Sequence, residues 1–84
     1  MSEHAQQVID YIVREIIRRP SVKIDLDTPL VSSGLIDSLA LVDILLKLEE
    51  VTNTRMPAGK VQAKDMDTVR LMFSTAARVG KPRK

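Results

Sequence analysis

The chain has 84 residues, with 13 Lys and Arg against 11 Asp and Glu, a formal net charge of +2 and no cysteine. A chain of this length has room for one hydrophobic core, which excludes a two-lobed enzyme with a cleft between its lobes. The missing cysteines exclude disulfides, thiol nucleophiles and cysteine-ligated zinc, so that packing alone must hold the fold.

The sequence contains no segment typical of membrane insertion or secretion. No stretch approaches the roughly 18 consecutive apolar residues of a membrane span. The first seven residues, MSEHAQQ, lack the basic start and apolar block of a signal peptide. We therefore expect a soluble, cytoplasmic protein without a membrane span.

Acidic and basic residues are distributed unevenly along the chain. Residues 24–50 contain six acidic residues and one basic residue, Lys47. The basic residues lie elsewhere, mostly after Val51, with a further cluster at Arg14, Arg18 and Arg19. The net charge therefore conceals an acidic central segment.

The first predicted helix spans residues 3–18. Its apolar residues recur at the three- and four-residue spacing of a helix with one buried face. Ser2 can cap the start of this helix, and Pro20 forces its end. The residues on the predicted buried face are Ala5, Val8, Ile9, Ile12, Val13, Ile16 and Ile17.

Residues 19–36 are predicted to form a loop that lies against the core. Proline, serine and glycine interrupt the segment, at Pro29 and Gly34 for example, yet it is too apolar for a free linker. The alternation of apolar and acidic residues over 24–27 is also typical of a strand. Because the rest of the chain offers no convincing partner strand, we interpret 24–27 as extended loop.

The second predicted helix, residues 38–51, carries two apolar stripes. Leu41, Ile44, Leu45, Leu48 and Val51 form a core-facing stripe. Leu39, Val42 and Leu46 lie on roughly the opposite side, together with Asp43, Glu49 and Glu50. The second stripe is explained either by a helix buried all round or by a docking surface for basic and apolar partners. Periodicity alone leaves both explanations open.

Two further helices are predicted after residue 56. A short one, within residues 57–65, has Pro57 in its first turn, where proline costs no hydrogen bond. The last helix starts after Asp67 as its N-cap and stops at Gly80. It is predicted to bury Val69, Met72, Phe73 and Ala76. We expect residues 1–80 to form the single domain and residues 81–84 to form a basic, disordered tail.

Ser38, at the start of the second helix, has two possible roles. Serine at this position is most often a cap whose oxygen accepts a backbone N–H. If Asp37 is the cap instead, Ser38 becomes the first helical residue, and an attached phosphate is favoured at the positive end of the helix dipole. Catalysis by Ser38 itself is not expected, because the only histidine is His4 and no glycine-rich elbow surrounds the serine.

The run DTPLVSSGLIDSLALVDILLKLEE resembles the acyl carrier protein family. The family signature, Asp-Ser-Leu at the start of the second helix of a small four-helix bundle, is matched by Asp37, Ser38 and Leu39. Chain length, helix order and the long loop before the motif match as well. The resemblance implies an all-α fold with three main helices, one short helix and a long loop between the first two helices.

The resemblance also implies a cofactor and a set of partners. A phosphopantetheinyl transferase would move 4'-phosphopantetheine from coenzyme A onto Ser38, and the arm's thiol would carry acyl or aminoacyl groups as thioesters. An acyl- or aminoacyl-activating ligase and a downstream acyltransferase or synthase would be further partners. The family's recognition helix corresponds to the second helix, which assigns docking to Asp37, Leu39, Val42, Asp43, Leu46 and Glu49. Such a carrier is a monomer without catalytic residues or a metal of its own.

The basic segment after the second helix differs from typical fatty acid synthase carriers, which are acidic throughout. The chain more closely resembles stand-alone, specialised carriers, and the alternatives include aminoacyl carriers such as D-alanyl carriers, and peptidyl carriers. A helical adaptor without a prosthetic group would use the same docking side. Nucleic-acid binding is disfavoured, since one Tyr and one Phe provide no stacking platform and the second helix is acidic.

Overall fold

A computed structural model describes residues 3–19 and 21–82 and shows three α-helices packed around one core. The expected all-α fold class is confirmed. Residues buried from all three helices meet residues from the long loop and the segment before the last helix. The largest fully buried side chains are Ile12, Leu30, Ile44, Leu48, Met66, Met72, Val8 and Val69.

The first helix, α1, spans Glu3–Tyr11 and continues as a π-helix over Ile12–Ile17. It ends at Arg18, which has a left-handed backbone with φ of 60° and donates its N–H to the Val13 carbonyl at 2.9 Å. The predicted extent of 3–18 is therefore confirmed for the described residues, although the wider turns at its end were not predicted. The proposed cap Ser2 and the proposed terminator Pro20 lie outside the described residues.

The segment that follows is a loop, as predicted, and no strand forms within its described residues 21–36. It packs on the bundle through Leu30 and Ile36, which are buried. The Leu26 carbonyl accepts the Arg70 N–H at 2.9 Å, so the loop is also fastened to the last helix.

A 3₁₀ turn, Ser38–Ala40, leads directly into α2, which spans Leu41–Thr52. Ile44 and Leu48 of the predicted core stripe are fully buried, and the other members of that stripe are partly buried against the core. The helix ends at Asn53, which adopts a left-handed backbone with φ of 54°. These bounds are close to the predicted 38–51.

The region predicted to hold one short helix contains two 3₁₀ turns, Ala58–Lys60 and Ala63–Met66. The second turn has its own start because Gln62 and Asp65 form a reciprocal capping box. Pro57 precedes the first turn and accepts the Lys60 N–H at 3.0 Å.

The last helix, α3, spans Val69–Val79 and stops at Gly80, as predicted. The prediction that Asp67 is its N-cap is wrong. Thr68 is the cap, because its hydroxyl accepts the Leu71 N–H at 3.0 Å. Asp67 is turned toward the long loop instead.

Two very short strands, β1 (Thr54–Arg55) and β2 (Lys81–Pro82), pair in antiparallel register. Lys81 and Pro82 were expected to be part of a disordered tail but are held in this pair. The remaining tail residues, 83 and 84, lie outside the described residues. Across residues 3–19 and 21–82, the helices are all too short or too polar to cross a membrane.

Candidate functional site

Asp37 caps the turn that opens the second helix. Its backbone is extended, with φ of −97° and ψ of 170°, and its carboxylate oxygen Oδ1 accepts the Ala40 N–H at 3.0 Å. Ser38 is therefore the first residue of the helical segment and not its cap. Asp37, and not Ser38, is therefore the helix cap.

The Ser38 hydroxyl differs from those of the serines that precede it in the loop. Ser32 donates to Asp67 Oδ2 at 2.8 Å, and Ser33 donates to the Pro29 carbonyl at 2.5 Å. Ser38 is exposed, and its hydroxyl forms no hydrogen bond with any described residue. Ser38 thus combines an accessible oxygen with a position at a helix start, where the dipole favours negative charge.

An open cleft of about 290 Å³ lies beside Ser38. Its apolar lining comes from Leu41, Val42 and Leu45 of α2 and from the segment around the second 3₁₀ turn after it. The lining residues are Ser38, Leu41, Val42, Leu45, Val61, Gln62, Ala63 and Met66. A mostly apolar cleft, with a polar amide, Gln62, among its walls, therefore adjoins Ser38.

The second apolar stripe of the second helix, formed by Leu39, Val42 and Leu46, is exposed. Leu39 is 83% exposed, Val42 is 62% exposed and Leu46 is 56% exposed. Asp37 and Asp43 are exposed as well. A helix buried on all sides is therefore excluded, and an apolar strip with acidic neighbours remains on the surface.

Glu49, predicted to belong to this docking side, is buried instead and only 8% exposed. One of its carboxylate oxygens, Oε2, accepts the Met56 N–H at 2.7 Å. The chain turns back after α2 and brings that N–H over the helix, so Glu49 satisfies a buried backbone donor. Its neighbour Glu50 is exposed and forms an ion pair with Lys47 at 3.6 Å.

Asp67, which was predicted to cap the last helix, binds the loop that precedes Ser38 instead. Its Oδ1 accepts three successive N–H groups, from Leu30 at 3.2 Å, Val31 at 2.8 Å and Ser32 at 2.9 Å. The Ser32 N–H, followed by the other hydrogen bonds to this carboxylate, lowers the pKa of Asp67. No local signal could reveal these contacts, because the partners lie about 35 positions apart in the sequence.

The residues around Ser38 fit a phosphopantetheine arm. The hydroxyl is free to form a phosphodiester, and the adjoining cleft offers apolar surface with one polar wall residue. Across residues 3–19 and 21–82, no three His, Asp or Glu side chains come close enough together to hold a metal ion.

Comparison with known proteins identifies a matching family model. A family model described as a phosphopantetheine attachment site matches residues 7–72, which is most of the chain and includes Ser38. No curated protein and no solved structure matches the chain.

Proposed function

The chain belongs to the phosphopantetheine attachment site family, and we propose that Ser38 is its attachment residue and that the arm carries acyl groups to partner enzymes. A protein of this family bears covalent 4'-phosphopantetheine. When bound, the arm supplies a terminal thiol that holds its cargo as a thioester. The chain itself supplies the anchoring oxygen, a cleft and a docking side.

The observation that carries this proposal is the free hydroxyl of Ser38 next to a capping Asp37. Because Asp37 satisfies the Ala40 N–H, Ser38 is not required for capping and its oxygen can be esterified without loss of a helix hydrogen bond. The two serines of the preceding turn, Ser32 and Ser33, would each have to give up a hydrogen bond.

Attachment requires a separate transferase. The Ser38 oxygen forms a bond to the β-phosphorus of coenzyme A, the phosphoanhydride bond breaks, and 3',5'-ADP leaves. The serine proton passes to a base. No hydrogen-bonding side chain of the described residues contacts the Ser38 hydroxyl, so this base is assigned to the transferase.

The exposed stripe of Leu39, Val42 and Leu46, with Asp37 and Asp43, is proposed as the surface that partners recognise. Its apolar area would be covered by the partner, and its acidic groups would favour a partner with a basic rim. Glu49 is excluded from this surface by its burial, whereas Glu50 is exposed. The partners are the transferase, a ligase that activates the cargo, and a downstream acyltransferase or synthase. Monomeric state and cytoplasmic location remain predictions.

Acyl cargo is favoured over an aminoacyl or peptidyl cargo by the lining of the cleft. Leu41, Leu45, Val61 and Met66 present apolar surface there, and no charged side chain is part of the lining. A charged aminoacyl group would lose hydration in such a cleft without gaining a partner.

The test is intact and peptide mass spectrometry after incubation of the apo protein with coenzyme A, magnesium and a broad-specificity transferase. We expect one phosphopantetheine per chain, on the peptide that contains Ser38. Ser38→Ala should stay unmodified. The control Ser74→Ala, which replaces an exposed serine on α3, should be modified to the same extent as the wild type. Modification of Ser38→Ala would contradict the assignment.

The cargo is tested in the same assay by loading Ser38 from octanoyl- and from alanyl-coenzyme A. The octanoyl form should unfold at a higher temperature than the holo form, because its chain covers apolar surface of the cleft. The alanyl form should unfold at the temperature of the holo form. Equal midpoints for all three forms would contradict a role of the cleft in holding acyl cargo.

A further inference from the structure

The turn before the Asp37-Ser38 pair is organised around the carboxylate of Asp67. Its Oδ1 collects the N–H groups of residues 30–32, and its Oδ2 accepts the Ser32 hydroxyl at 2.8 Å. The backbone carbonyl of Asp67 also accepts the Leu30 N–H at 2.8 Å. Successive N–H groups that converge on one oxygen form a concave anion-binding arrangement, here occupied by a side chain of the same protein.

Backbone hydrogen bonds continue from this turn to the attachment residue. The Leu30 carbonyl accepts the Ile36 N–H at 3.1 Å, and the Val31 carbonyl accepts the Gly34 N–H at 3.1 Å. Gly34 has φ of 82°, a conformation that glycine adopts without strain. Ile36 is buried and directly precedes Asp37. The Asp67 carboxylate is thus linked through residues 30–36 to the cap that presents Ser38.

We propose that Asp67 is a positioning residue for modification of Ser38: it holds the turn at residues 30–36 in the one conformation from which the Asp37-Ser38 pair is presented to the transferase. This inference rests on the proposed function of Ser38. Asp67 does not touch the reacting atoms. It raises the fraction of molecules in which Ser38 is presented in the conformation that the transferase binds.

A second contact between the loop and α3 provides an internal comparison. Arg70 pairs with Asp27 through two hydrogen bonds, of 2.7 and 3.1 Å. Both side chains are exposed, and Asp27 lies eleven positions before Ser38. Exposed ion pairs contribute little to stability. The position of Asp27 also separates it from the hydrogen bonds of residues 30–36, so its loss should leave Ser38 presented normally.

The experiment measures the transferase reaction at Ser38 with the full chain as the varied substrate, for wild type, Asp67→Asn and Asp27→Asn. Asparagine keeps the size of Asp67 but replaces one acceptor oxygen by an N–H₂ donor. If the variant presents Ser38 correctly in only a tenth of the molecules, the KM for the carrier rises about tenfold while kcat changes little. Asp27→Asn should stay within about twofold of wild type in both parameters.

Two controls separate positioning from general loss of stability. Thr68→Ala removes the α3 cap next to Asp67 without touching residues 30–32, and it should leave the KM unchanged. Amide hydrogen exchange at Val31 and Ser32 should be faster in Asp67→Asn and unchanged in Thr68→Ala. If circular dichroism shows that Asp67→Asn is unfolded, Ser32→Ala replaces it in the test, because this change removes only the hydrogen bond from the Ser32 hydroxyl to Oδ2. A rise in KM of about threefold is then expected.

The inference is overturned if folded Asp67→Asn has a kcat/KM within twofold of wild type. A loss of similar size in Thr68→Ala or Asp27→Asn also overturns it, since the effect would then be general. Where Ser32→Ala has to decide, an unchanged KM overturns it. Wild-type protein that is not modified at Ser38 overturns the proposed function itself, and the positioning role with it.

Discussion

The exposed stripe of α2 leads to a sharp prediction about Leu46 and Leu48, two leucines of the same helix that differ in burial. Leu46 is 56% exposed, whereas Leu48 is fully buried. We expect Leu46→Lys to leave the fold intact while it slows modification of Ser38. We expect Leu48→Lys to unfold the domain.

The magnitudes follow from the burial of each side chain. Complete burial of a leucine contributes about 1.5–3 kcal/mol, so the partial burial of Leu46 contributes about 0.7–1.3 kcal/mol. The aliphatic stem of lysine retains part of that contact. At Leu48 the whole burial is lost and an unpaired charge is placed in the core, a cost of several kcal/mol. A domain of this length has roughly 4–13 kcal/mol of stability in total.

Thermal unfolding followed by circular dichroism gives the first measurement. Leu46→Lys should lower the midpoint by no more than about 4–8 °C, the shift for 1 kcal/mol in a domain of this size. Leu48→Lys should show no cooperative transition. Transfer to Ser38 gives the second measurement, and Leu46→Lys should lower kcat/KM at least about tenfold, which corresponds to about 1.4 kcal/mol of lost transition-state binding.

Asp43→Lys extends the test to charge. It should also leave the midpoint nearly unchanged and slow transfer, and raised salt should narrow the difference between this variant and the wild type, because salt screens exposed charges. The reasoning is refuted if Leu46→Lys unfolds as readily as Leu48→Lys. It is also refuted if folded Leu46→Lys is modified at the wild-type rate.

Two further predictions concern carboxylates that sequence reasoning misplaced. Glu49→Ala leaves the Met56 N–H buried without a partner and should lower the unfolding free energy measured in urea titrations by about 1.5–3 kcal/mol. Glu50→Ala changes the exposed neighbour and should lower it by less than about 1 kcal/mol. Equal losses in the two variants would contradict the roles assigned to Glu49 and Glu50. The pKa of Asp67 is lower in the folded than in the unfolded protein. The ionised Asp67 carboxylate therefore contributes its full stabilisation above the unfolded-state pKa of about 3.9. That stabilisation is lost as the pH falls through the lower pKa of the folded state. Urea midpoints measured from pH 6 to pH 3 should therefore fall less for Asp67→Asn than for wild type, and parallel curves would contradict the prediction.

Local sequence information was sufficient to locate the three main helices and to single out the Asp37-Ser38-Leu39 motif. The apolar spacing of α1 and α2 reflects only the helical repeat, which relates residues three and four positions apart. Gly80 ends α3 where predicted. The Asp37-Ser38-Leu39 motif likewise depends on adjacent residues, and the structure adds that Asp37 is the cap.

Contacts between distant segments were decided only by the tertiary structure. The buried state of Glu49 depends on a backbone N–H seven residues later, and the role of Asp67 depends on a turn about 35 residues earlier. The pairing of β1 with β2 likewise joins residues 54–55 to 81–82. The local sequence around an Asp or Glu on a helix does not distinguish a carboxylate in water from one that caps the helix or accepts a buried N–H. Only the packing of the chain determines which N–H groups come within its reach.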